Sequence, residues 1–93
     1  MVIHMINEKI RKEIVEREFN ETILFDNPSF DNSIIGYTDD EKVIYDYEKM
    51  IEEFAEENGC SIYEAIDFID YNTVRSLPYA GDKAPIIMYR FME

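Results

Sequence analysis

CSIYEAIDFIDYNTVRSLPYAG, residues 60 to 81, is the stretch whose reading decides the fold. Ser61-x-x-Glu64 has the spacing of a capping box: the serine hydroxyl takes a first-turn amide and the glutamate reaches back to the serine amide. At about 100° per residue, Ile62, Ala65, Ile66 and Ile69 then fall on one face of a helix. Tyr63, Glu64, Asp67, Asp70 and Tyr71 fall on the other. Asn72 and Thr73 continue the apolar face, so both polar side chains are expected to point inward at the last turn. Pro78 has no amide to donate and disfavours helix at Leu77, so the helix ends before that pair.

Immediately upstream, Tyr47, Met50, Ile51, Phe54 and Asn58 share a second helical face, and Gly59 supplies the stop. Opposite them lie Glu48, Glu52, Glu53, Glu56 and Glu57. The pairs 52/56 and 53/57 set like charges four apart, each costing an isolated helix about 0.2–0.5 kcal/mol. Lys49 offsets them only in part. Such a face is a candidate binding surface or, more blandly, a solvated helix back.

Before this helix, residues 34–38 and 43–46 are β-branched and aromatic, separated by Asp39-Asp40-Glu41-Lys42, which is hairpin spacing without a glycine. Residues 22–25 form a shorter β-prone run, followed by turn-rich Asp26-Asn27-Pro28-Ser29. Residues 85–91 are apolar on both alternations except Arg90, as expected of a central or nearly central strand. At the start, Ile3, Ile6, Ile10 and Ile14 mark a narrow helical seam over 3–19, suited to packing on the sheet, to a partner helix or to a homodimer. The expected fold is α+β: a small antiparallel sheet of three to four strands covered by about three helices, in one domain over 1–93.

Charge sets the expected partner. The net charge is −12, and twelve acids against Lys42 and Lys49 put −10 of it between Asp39 and Asp70. That field repels nucleic acid and anionic membrane and favours a basic protein surface. The single cysteine, Cys60, excludes an internal disulfide and suits a reducing compartment, so a cytoplasmic location is expected. No phosphate-binding glycine loop, zinc spacing or nucleophile–histidine pattern is present, and no cofactor is implied. His4 is a lone histidine with no second ligand candidate. Glu64, Asp67 and Asp70 step by three and could hold a hard cation, or form a solvated acidic face. Arg75, with Asn72 and Thr73, could clamp the loop over 76–84.

ILFDNPSFDNSIIGYT (23–38), AIDFIDYNTVRSLPYAG (65–81) and PIIMYRF (85–91) resemble a family of small acidic, largely uncharacterised proteins of phages and mobile elements of Gram-positive gut bacteria. The resemblance spans roughly residues 23 to 91 and brings no established catalytic residues. It implies an inhibitor of host defence, of the anti-CRISPR or anti-restriction type that imitates DNA. The expectation is therefore a non-enzymatic acidic protein that occupies a nucleic-acid-binding surface of a host protein. Glu48, Glu52, Glu53, Glu56 and Glu57 would supply the charge, with Asp39, Asp40, Glu41, Asp67 and Asp70 around them. The alternatives are a regulatory or assembly protein using an apolar surface and, from another class, a small metal-dependent enzyme using Glu64, Asp67 and Asp70.

Overall fold

Val43–Asp46, rich in β-branched and aromatic side chains, forms the middle strand (β2) of a three-stranded sheet. The computed structural model describes residues 10–19 and 21–92. β1 (Ile34–Tyr37) lies antiparallel to β2, and β3 (Ile86–Met88) lies parallel to it on the far side. With α1 over 10–16, α2 (Tyr47–Asn58) and α3 (Ile62–Phe68), the fold is α+β.

Three details of the sheet differ from expectation. It is mixed, because the chain leaves β2, makes two helices and returns, and a helical crossover delivers its next strand parallel. β3 is an edge strand, its double-sided apolar pattern notwithstanding. Residues 22–25 are not a strand. Their polar groups go singly to scattered partners: the Ile23 amide donates to the Lys83 carbonyl (3.3 Å) and the Phe25 amide to the Tyr45 hydroxyl (3.1 Å).

The β1–β2 hairpin closes without glycine because Glu41 takes the left-handed conformation itself, at φ 68°. Its amide donates to the Thr38 carbonyl (3.0 Å), and the Thr38 hydroxyl accepts from the Lys42 amide (3.0 Å). Thr38 thus supplies, through its side chain, a polar contact that a tighter turn would make through its backbone.

Asp46 ends β2 and caps α2, accepting from the Glu48 amide at 3.1 Å. Gly59 stops that helix at φ 62°, a conformation that a side chain disfavours. The capping box at α3 forms as its spacing predicts, with both Ser61–Glu64 hydrogen bonds at 3.1 Å. After Phe68 the helix widens into a π turn over Ile69–Val74 and ends before Leu77-Pro78.

The core gathers Phe30, Val43, Tyr45, Met50, Ile51, Ala65 and Ile69 between sheet and helices. Burying a side chain such as Ile69 or Met50 contributes about 1.5–3 kcal/mol. Phe54 stacks on Phe68 at 4.4 Å, joining α2 to α3. Phe30 sits at φ 54°, a strain of about 1–3 kcal/mol that burial of its ring offsets. From α1, Ile14 packs on this core. Ile3, Ile6 and His4, on which the seam and the lone histidine rest, lie outside the described residues.

Candidate protein-binding surface

Among the described residues two carboxylates are buried, and each takes an arginine distant in sequence. Asp31, 5% exposed, receives the Arg11 fork, with Nε at 2.6 Å and Nη2 at 2.8 Å. Asp46, 3% exposed, receives Nη2 of Arg90 at 2.7 Å and Nε at 3.0 Å, both on one oxygen. Arg90 also reaches Glu48, Nη1 to Oε2 at 2.9 Å. Burial pushes the Asp46 carboxyl up, but Arg90 and the amides at the start of α2 together hold it below the usual range. A buried carboxylate without such partners would be severely destabilising, so these arginines belong to the architecture.

The acidic residues expected to form one surface fall into three groups. Asp39, Asp40 and Glu41 form the hairpin tip, where Thr38 donates its hydroxyl to Asp40 and Lys42 stands 3.6 Å from it. The Lys83 ammonium donates to the Asp40 carbonyl. This tip lies at the start of β2, whereas α2 leaves the other end, roughly 13 Å away for a four-residue strand. Hairpin and helix carboxylates are therefore not neighbours in the sense expected.

Along α2, Glu48, Glu52, Glu56 and Glu57 are exposed. Glu53 is the exception and a correction to the expected row. It is half-buried, its carboxylate accepts from the fully buried Ser33 hydroxyl at 2.9 Å, and burial pushes its pKa up. Geometry explains the difference: 53 borders the apolar stripe, and the short helical turn Asp31–Ser33 packs against that border. With Glu48 held by Arg90, the outward row is Glu52, Glu56 and Glu57.

The outer face of α3 carries Asp67, and the π turn that follows carries Asp70, both exposed. Asp70 accepts from the Tyr47 hydroxyl at 2.6 Å, and the Tyr47 ring lies 4.7 Å from that of Tyr89, so this carboxylate is tied to α2 and to the segment after β3. Burial, then Asp70, raise the Tyr47 pKa. Glu64 is occupied in the cap, which holds it below its ordinary pKa. Glu64, Asp67 and Asp70 consequently do not converge, and no three metal-ligating side chains gather among the described residues.

Thr73 is buried as expected, but Asn72 is not. The π turn carries Asn72 off the apolar face, where its amide donates to the Phe68 carbonyl at 3.0 Å. Arg75 does not clamp the following loop as expected; its guanidinium lies 4.9 Å over the Tyr71 ring. Cys60 is a half-buried free thiol beside the core.

Two further surfaces bear on function. An apolar groove of about 220 Å³ runs between α1 and β1, lined chiefly by Ile10, Ile14, Phe19, Ile35 and Tyr37. The outer face of α3 and of its π turn exposes tyrosine as well as carboxylate: Tyr63 is 81% and Tyr71 67% exposed. Charge counting overlooks these rings, although placing Tyr63 and Tyr71 on the outer helix face was enough to find them. No helix among the described residues is long and apolar enough to cross a membrane. Comparison with protein-family models, with curated proteins and with solved structures found no match to this chain.

Proposed function

We propose that the protein is a non-enzymatic acidic binding module that occupies the basic, nucleic-acid-binding surface of another protein. The resemblance to small acidic proteins of mobile elements makes inhibition of a host defence nuclease, by imitation of DNA, the specific form of this reading. One observation carries it. Arg11 and Arg90 are engaged by buried Asp31 and Asp46, while Glu52, Glu56 and Glu57 stand exposed on the back of α2. Two arginines are thus neutralised by buried carboxylates, although Lys12, Lys49 and Arg75 stay exposed, and the carboxylates on the back of α2 are left outside. Glu52 and Glu56 are separated by about 6 Å along the helix axis, a spacing able to engage a row of lysines or arginines. The reading places the protein in the cytoplasm with its target.

The test is affinity for a basic, DNA-binding protein domain at low and high salt. Replacing Glu52, Glu56 and Glu57 by glutamine should weaken binding at low salt and flatten its salt dependence, because a screened long-range attraction has been removed. Unchanged affinity and slope would reject α2 as the contact.

A second reading, assembly through an apolar surface, is favoured by the groove between α1 and β1 and by half-exposed Ile35 and Tyr37 beside it. Ile35→Lys would then abolish self-association in sedimentation while leaving the glutamine-sensitive binding intact.

A further inference from the structure

We infer that the outer face of α3 is an arginine-docking surface, on which Tyr63, Asp67 and Tyr71 hold guanidinium groups of a basic protein partner. The inference rests on the acidic-binding reading above and names the partner chemistry. Tyr63 and Asp67 are four residues apart in α3, and Tyr71 follows four later in the π turn, giving an exposed sequence of ring, carboxylate and ring. Exposed tyrosine at this density is characteristic of contact surfaces, where a flat ring offers area at small entropic cost.

An apolar partner does not fit, because covering the rings would also bury Asp67 without a counter-charge. Nucleic acid is repelled by the same carboxylates. A guanidinium satisfies both features: it stacks on a phenol ring and forks onto a carboxylate, which a lysine ammonium cannot do as well. The chain contains the stacking half of this contact already. Arg75 lies 4.9 Å over one face of Tyr71, whose ring stays 67% exposed for a second guanidinium, and Arg17 lies 5.4 Å over Tyr37. Asp70, braced by Tyr47, adds a second carboxylate at the end of the face.

The experiment measures binding of dye-labelled nona-arginine and nona-lysine peptides to the full chain by fluorescence anisotropy. The arginine peptide should bind several-fold more tightly than the lysine peptide. Replacing Tyr63 and Tyr71 together by serine should weaken arginine binding about fivefold or more and bring the two peptides level. Asp67→Asn should reduce the preference for arginine without touching either ring, which guards against a misfolded tyrosine variant. The Glu52, Glu56 and Glu57 glutamine set should weaken both peptides alike. Equal affinity of the two peptides for the unaltered chain, or a preference that survives both α3 variants, overturns the inference while glutamine-sensitive binding keeps the broader reading. Failure to bind either peptide overturns both.

Discussion

Arg90 and Asp46 stand 44 residues apart and meet with Nη2 2.7 Å from Oδ2, so the segment after β3 is fastened to the residue that both ends β2 and caps α2. Asp46 therefore serves three elements with one carboxylate.

Its two roles separate by substitution. Asp46→Ala removes cap and ion pair and should cost about 0.5–2 kcal/mol for the cap alone. Asp46→Asn keeps a capping oxygen and loses only the charge. The Asp46 pKa is lower folded than unfolded, so its stabilisation is full above the unfolded value and is lost as pH falls through the folded one. Denaturant melts from neutral to acid pH should show that loss in the unaltered chain and not in Asp46→Asn.

Glu53 should show the reverse sign. Its pKa is raised on folding, chiefly by burial, so the folded state binds the proton more tightly. Its contribution is favourable below the unfolded glutamate value and fades as pH rises through the folded one. Glu53→Gln keeps an acceptor for Ser33 and should raise the melting temperature at neutral pH while leaving it unchanged in acid. A lower melting temperature at neutral pH would show that the charge itself is needed.

Ile69 is fully buried, so Ile69→Ala should cost about 2–5 kcal/mol through lost transfer energy and an unfilled cavity. Ile66 is only partly buried and should cost less. Tyr63→Ala should be nearly silent in the same urea titrations, since its ring stands outside the fold.

At alkaline pH the informative group is Tyr45. Burial pushes its phenol up to about 12 from 10, so between these values the unfolded chain loses the proton first and stability falls as pH rises. Tyr45→Phe should remove part of that decline, at the cost of leaving the Phe25 amide without its acceptor. Chemical denaturation across this range reads both effects.

Local signals in the sequence were reliable where one residue closes one hydrogen bond. The Ser61–Glu64 box, the Gly59 stop and the end before Pro78 all depend on short-range stereochemistry, and all stand as spacing predicts. The exposed carboxylates of α2 were legible for the same reason, except Glu53, whose partner Ser33 lies 20 residues away. Long-range choices were less visible. Apolar side chains at 85–91 suggest a central or nearly central strand, yet the pattern does not say on which side of β2 it pairs. The order of strand, two helices and strand did hold the parallel pairing, since a helical return implies it. Nothing local marks Ile69–Val74 for a π turn, which is why the sequence pattern places Asn72 inward while the structure turns it outward.

The free edge of β3 has a consequence for how the protein behaves in bulk. Among the described residues Ile86–Met88 has no strand on its outer side and lies beside exposed Phe91 and Met92, a template on which another copy's strand could be laid. At neutral pH mutual repulsion opposes such pairing, with a net charge of −12 on so small a body. Near the isoelectric point, about pH 4.3, that repulsion vanishes while the edge and its apolar neighbours remain. Under the proposed function, the charge that recruits a basic partner also opposes self-pairing, and a complex that neutralises it would have to cover the edge to stay in solution.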